Sequence, residues 1–357
     1  MRKQGPLRFG VLLTTDRHRG QTDHDVLTRA VEVAQQAESL ALDDVWVTEH
    51  HFLDSAVNPA PLALAAFLLG RTRTIRVGTA VTVLPLHSPV HVAEQTALLD
   101  HLSAGRFVLG VGRGVPGAEY EALGADPQAW RAGLAEPLDR LLAALAGEVP
   151  TAPDHRTGPC LRPSPSVRTR PRPPVYVAAG SPASIEMAAR RGLPLMLFFD
   201  KSAEAKAEMV EWYDRTAREA GRQEPGPAHA FAVFTQVTES EERTRTLMRD
   251  RARFILSLNN QPGRTTGSAL PAPPPVTAGN VSALADRLLA TQPVGSVDLC
   301  VERLAHHIRA SGCTRVMCQV EAAPGTDDAL RNLERLAREV FPAVRERVGA
   351  ARAGADV

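Results

Sequence analysis

Short apolar or β-branched runs alternate along this chain with longer segments whose apolar residues recur every three or four positions. That alternation predicts a parallel sheet whose strands are joined by covering helices. Leu7–Leu13 reads as a first strand, and Val26, Ala30, Val33, Ala34, Ala37 and Leu40 then share one helical face. Further strands are expected at Asp44–Val47, Ile75–Val83, Phe107–Val111, Val175–Ala178, Leu195–Phe199, Ala230–Val237 and Arg315–Val320. Helices are expected at Leu62–Leu69, Val90–Leu102, Trp130–Leu145, Ser184–Arg191, Ala203–Ala220, Glu241–Leu258, Val297–Ala310 and Asp327–Arg347. Ser88-Pro89 supplies a cap and a first-turn proline to one of them.

Eight such strands predict an α/β fold, a single (β/α)8 barrel of the TIM type. The barrel domain is expected over residues 1–348, with a disordered tail at 349–357. Periodicity does not register closure, so a doubly wound open sheet is the alternative. Two stretches interrupt the alternation. Val149–Pro174, crowded with proline and arginine, reads as an irregular surface excursion after the fourth strand. Asn259–Asn280, rich in Gly, Pro, Ser and Thr, reads as a mobile, lid-like loop after the seventh.

The length of 357 residues suits one large barrel, and 44% apolar with 23% charged residues supports a sizeable core. A net charge of +1 gives no electrostatic argument for nucleic acid or an anionic membrane. Cys160, Cys300, Cys313 and Cys318 form no C-x-x-C pair and are expected to be buried free thiols in a reducing compartment. The apolar run Phe9–Leu13 is too short for a signal peptide, and no stretch is long enough to span a bilayer. A cytoplasmic protein is the expectation.

In such a barrel, chemistry gathers where strands end and the following loops begin. The second strand ends in Glu49-His50-His51-Phe52, a trio suited to general base, proton relay or metal work, or to a structural role. His50 and His51 point to opposite faces of an extended segment and do not readily share one ion. Gly78, Thr79 and Ala80 either admit a flat ring to the backbone or pack tightly inside the barrel. His87 and His91 lie four apart, but no third ligand follows, so they read as surface histidines and no metal is expected. Gly112, Gly114 and Gly117 match G-x-G-x-x-G formally, yet they follow the fourth strand and enclose Pro116, which argues against a dinucleotide fold. Arg113 amid those glycines is instead a candidate anion ligand. Gly180-Ser181-Pro182-Ala183-Ser184 opens a helix and reads either as a phosphate cradle or as plain capping.

At these residues the chain resembles the bacterial luciferase family of flavin monooxygenases, above all the luciferase α subunit. The resemblance is carried by Glu49-His50-His51-Phe52, Gly78-Thr79-Ala80, Leu84-Pro85, Leu99-Asp100, Gly105-Arg106-Phe107, Gly110 and Arg113-Gly114. Gly124-Ala125-Asp126, Gly192-Leu193-Pro194 and Pro293-Val294-Gly295 extend it in the same order along nearly the whole chain. It implies reduced FMN at the C-terminal rim, with the phosphate on Arg113, Arg131, Ser181 and Ser184. It also implies an active-site histidine at His50, assisted by Glu49, and a non-proline cis peptide at Ala80–Val81 beside the flavin ring.

The reaction implied is a C4a-peroxyflavin, formed from O2 and externally supplied FMNH2, oxygenating a small organic substrate. A separate flavin reductase and a homodimer belong to the same picture. Four positions depart from the α subunit. Gly112 replaces a cysteine near the flavin, Gly180 an acidic residue and Phe199 a tryptophan of the substrate pocket, while Pro116 offers no backbone donor. A changed substrate is the expectation, and light emission is not. Two rival readings remain: an F420-dependent hydride-transfer oxidoreductase of the same superfamily, and a non-catalytic flavin-binding or dimer-partner subunit.

Overall fold

In the computed structural model, residues 5–115, 117–126, 128–150, 160–222, 226–265 and 270–353 are described. Eight strands form the barrel: β1 (Arg8–Leu13), β2 (Asp44–Val47), β3 (Arg76–Thr79), β4 (Phe107–Gly112), β5 (Val175–Ala178), β6 (Leu195–Leu197), β7 (Ala230–Phe234) and β8 (Arg315–Gln319). Each pairs in parallel with its sequence neighbours, and β8 pairs with β1. The pairing of Val77 with Phe107 and Gly78 with Val108 joins β3 to β4 and completes the ring. That closure rules out the open sheet.

Parallel neighbours need long crossovers, and amphipathic helices supply them. The principal helices are α1 (Asp23–Ser39), α2 (Pro61–Arg71), α3 (Pro89–Leu102), α4 (Ala135–Leu145), α5 (Pro182–Arg191), α6 (Ala203–Glu219), α7 (Glu241–Asn259), α8 (Ala278–Thr291), α9 (Val297–Ser311) and α10 (Thr326–Arg335). Thr22 caps α1 through a reciprocal pair with Asp25, and the helix buries Val26, Ala30, Val33, Ala34 and Ala37 against the sheet.

Four expectations are corrected. The helix expected over Trp130–Leu145 is broken at Gly133 (φ 91°) into Ala129–Ala132 and α4. The strand expected over Ile75–Val83 is interrupted by a cis peptide at Ala80–Val81, after which Thr82–Val83 pairs again with β4. The lid-like stretch is less irregular than its composition suggests. A short helix, Pro262–Thr265, follows α7, and α8 begins at Ala278, capped by Thr277; residues 266–269 lie outside the described residues. The last helix, Phe341–Ala353, runs past residue 348, where a tail was expected, and residues 354–357 again lie outside the description. In the excursion, Val149–Pro150 pairs with Cys160–Leu161, and residues 151–159 are not described. Asp100 ties its far end down by accepting from Arg168 N at 2.8 Å and Thr169 Oγ1 at 2.6 Å.

The barrel interior is packed with Leu12, Trp46, Val108, Tyr176, Met196, Ala232 and Met317. A Cβ on Gly78 would stand 2.6 Å from the Trp46 ring, so that glycine serves interior packing. At the lower end the Asp44 carboxylate pairs with Arg315 and accepts from the Trp46 indole N–H, while Arg315 Nε donates to Tyr176 Oη at 3.2 Å. Cys300 and Cys318 are buried free thiols, Cys313 is buried, and the Cys160 side chain lies outside the described residues. No described helix is long and apolar enough to cross a membrane.

Candidate active site

Glu49, two residues beyond β2, is buried. Its Oε1 accepts from His51 Nε2 and from His87 Nε2, each at 2.8 Å, and its Oε2 accepts from Val83 N, also at 2.8 Å. These bonds hold the Glu49 carboxyl below its ordinary pKa against the opposing effect of burial, so it stays an anion. The carboxylate thus clamps the chain just past the cis peptide and orients two imidazoles. The surface assignment of His87 is thereby corrected: the loop after Thr82–Val83 folds it back onto Glu49. His91 remains exposed. No group of three metal-ligating side chains occurs among the described residues.

His50 is placed differently from the expectation that Glu49 steers it. Its backbone N–H donates to Asn58 O at 2.9 Å, and its Nδ1 accepts from Arg264 Nη2 at 3.4 Å. Burial, then the positive charge of Arg264, push its pKa down to about 4. The ring is therefore neutral near pH 7, and with Nδ1 accepting from Arg264 its hydrogen sits on Nε2, which is left as a donor. Glu119, on the short helix Glu119–Ala122, belongs to the same neighbourhood: burial raises its carboxyl, while His51 and Arg264 oppose the rise.

Gly112 ends β4 and Arg113 follows it. A Cβ on Gly112 would lie 2.6 Å from Val81 Cγ2 and 3.3 Å from Ala178 Cβ, so only glycine fits under the cis segment. The Arg113 guanidinium lies 4.0 Å from the Trp130 ring centre, and the Trp130 indole donates to Gly114 O at 3.3 Å. This folds the helix carrying Arg131, which is exposed, back towards the end of β4. Arg113 makes no ion pair among the described residues. Pro116 lies outside them.

Gly180 and Ser181 follow β5, the neighbour of β4 in the ring, so they share this sector of the rim. Ser181 caps α5, and Ser184 Oγ donates back to Ser181 O at 2.8 Å and accepts from Ser181 N at 3.1 Å. The two hydroxyls thus already serve as a capping box at the positive end of the helix. Phe199 and Val81 pack on top of the interior cluster, and the Phe199 ring lies 4.6 Å from that of Phe234.

A further set of charges escaped the sequence reading. Asp16, beyond β1, pairs with Arg251 of α7, and Glu321, beyond β8, pairs with Arg29 at 3.1 Å; all four are buried. Glu321 Oε2 also accepts from Thr14 N at 2.6 Å. Burial and the neighbouring Asp16 charge raise the Glu321 carboxyl despite Arg29. The available signal was position: acids directly after barrel strands 1 and 8. Arg264 had no such signal, since it lies in a Gly/Pro-rich stretch.

Residues 7–315 match the luciferase-like monooxygenase family. The chain belongs to that family. An alkanal monooxygenase alpha chain from a Kryptophanaron alfredi symbiont is 28% identical over 96% of this chain and 99% of its own length. Among solved structures, monooxygenase RslO1 from Streptomyces bottropensis superposes with a TM-score of 0.79 at 23% identity, covering 94% of this chain and 99% of that one. The oxygenating constituent of 3,6-diketocamphane monooxygenase from Pseudomonas putida, solved with FMN, gives 0.71 at 19% identity over 95% and 98% of the two chains. An F420-dependent secondary alcohol dehydrogenase, solved with an F420-acetone adduct, gives 0.72 at 18% identity over 95% and 99%. Membership makes the chain a luciferase-like monooxygenase by family, and the fold is shared by flavin and F420 enzymes alike.

Proposed function

We propose that this protein is a monooxygenase that takes FMNH2 from a separate flavin reductase and uses O2 to oxygenate a small organic substrate. The observation that carries the reading is Arg113, a guanidinium without an ion pair among the described residues, set on an aromatic face after β4, the strand paired with the one that leads into α5. Arg113, Arg131 and that helix end offer charge and donors to a phosphate, with Ser181 and Ser184 as hydroxyl partners and Gly180 leaving room. Ala80, Val81 and Gly112 provide a low apolar shelf that suits a flat ring, and Phe199 supplies one wall of the substrate pocket. Reduced flavin, when bound, supplies the electrons and activates oxygen. His50 offers its Nε2–H to the reacting centre, while Glu49 acts at one remove by fixing His51, His87 and the Val83 backbone.

Anaerobic titration with FMNH2 and with reduced F420, followed by oxygen uptake, tests this reading. Preferential binding of FMNH2 and oxygen consumption are expected. Tight F420 binding without oxygen uptake would replace it with hydride transfer. The variant carrying both Arg113→Gln and Arg131→Gln should bind FMN at least about a hundredfold more weakly, since each charged hydrogen bond contributes about 1.5–3 kcal/mol. Unchanged affinity removes the phosphate seat.

A homodimer is part of the proposal. Successive outer helices present Phe67 (56% exposed) on α2 and Leu102 (74%) on α3, with Ala63, Ala66 and Leu98 also outward. These exposed apolar side chains suit burial against a second copy of the chain. Phe67→Glu with Leu102→Glu should turn a dimer into a monomer in sedimentation velocity. An unaltered sedimentation coefficient refutes this face.

A further inference from the structure

The short helix Pro262–Thr265 is pinned to the loop after β2. Gln261 Oε1 accepts from Asp54 N at 2.9 Å, and Gln261 Nε2 donates to Ser55 Oγ at 2.7 Å. The pin sets Arg264 over His50. A guanidinium carries five N–H donors, and among the described residues this one donates a single hydrogen bond, to His50 Nδ1. No carboxylate lies within ion-pair distance of Arg264 among the described residues. Burial lowers the Arg264 pKa, and Glu119 opposes this from beyond pairing range. A desolvated cation facing a neutral ring is an unfavourable arrangement unless an anion completes it.

The loop that carries His50 also exposes an apolar ring two residues further on. The Phe52 ring lies 6.1 Å from that of His51 and is 59% exposed, on a residue held at φ 53°, a conformation that non-glycine residues seldom adopt. We infer that Arg264 is a specificity-determining residue, which binds a carboxylate on an otherwise apolar substrate and holds that substrate against His50. The inference rests on the flavin reading above and names the substrate class for the same site. Arg264 itself takes no part in the flavin seat, which lies on β4 and β5. Glu119 tunes the subsite as a competing negative charge.

The probes are 2-naphthoate and its neutral isostere 2-naphthamide, titrated calorimetrically into the full-length protein with and without saturating FMN. The acid is expected to bind at least about tenfold more tightly than the amide, as charge-assisted bonds to a guanidinium imply. Arg264→Gln should abolish that preference, Arg264→Lys should keep part of it, and Glu119→Gln should strengthen naphthoate binding. FMN affinity should be unchanged in all three variants. Equal affinity for acid and amide, no naphthoate binding at millimolar concentration, or a preference that survives Arg264→Gln overturns the inference. Weaker naphthoate binding in Glu119→Gln also counts against it. Failure of wild-type protein to bind FMN is a separate result that removes the flavin reading, because the acid–amide comparison without FMN still stands.

Discussion

Replacing His50 with alanine lowers substrate-coupled turnover by about 10²–10⁴-fold, the usual contribution of a positioned proton-transfer group. FMN affinity should change little, because the proposed phosphate seat is built by the loops after β4 and β5. The working protonation state follows from the surroundings. Burial and the Arg264 cation depress the imidazole to about 4, so the neutral ring is the working form. Activity that depends on it should therefore be flat through the ordinary histidine range near pH 6.5 and fall as the pH drops through about 4. A break near 6.5 would mean that the ring is more solvated than the fold implies. Unchanged coupled turnover in the alanine variant would remove His50 from the mechanism altogether. His51→Ala should behave differently, through loss of a Glu49 partner and with altered stability.

The largest stability loss is expected at the opposite end of the barrel. Asp44→Ala should cost about 3–5 kcal/mol, because it strips a buried arginine of its counter-ion. Arg315 lies inside the ring with its guanidinium 5.8 Å from the Trp46 ring centre and 5.7 Å from that of Tyr176. Burial lowers its pKa only to about 10, so it remains charged at neutral pH and cannot escape the penalty by losing its proton. The same substitution orphans the Trp46 indole N–H, which donates to Asp44. Urea unfolding measures the loss. The double change Asp44→Leu with Arg315→Met should recover a large part of it, since removing both charges leaves neither unpaired. A loss below about 1 kcal/mol in the single variant would show that solvent reaches the floor of the barrel.

The strand pattern was legible because burial on both faces of a parallel sheet leaves continuous apolar runs, and all eight barrel strands lie where those runs do. Helix α8 was not, although Val281, Ala285 and Leu288 carry its buried face. Its first turn reads as a continuation of the Gly/Pro/Thr-rich loop, and only packing on α7 makes the periodicity decisive. His87 was misread for a related reason: spacing to His91 suggested a metal pair or surface residues, while its actual partner is Glu49, 38 positions earlier. Gly78 illustrates a reading that sequence left open and packing closed, through contact with Trp46.

By itself, then, the order of residues determined the alternation of strands and helices and the family, while closure into a barrel came from the pairing of β3 with β4. It also marked the rim positions, Glu49-His50 and Arg113 among them, where reactive side chains would collect. Folding decided which of them meet: Glu49 with His51 and His87, His50 with Arg264, Asp16 with Arg251, Asp44 with Arg315. Periodicity reports how each residue faces its own element. Protonation and pairing depend on groups brought together across tens to hundreds of positions, in a medium whose polarity only the closed barrel establishes.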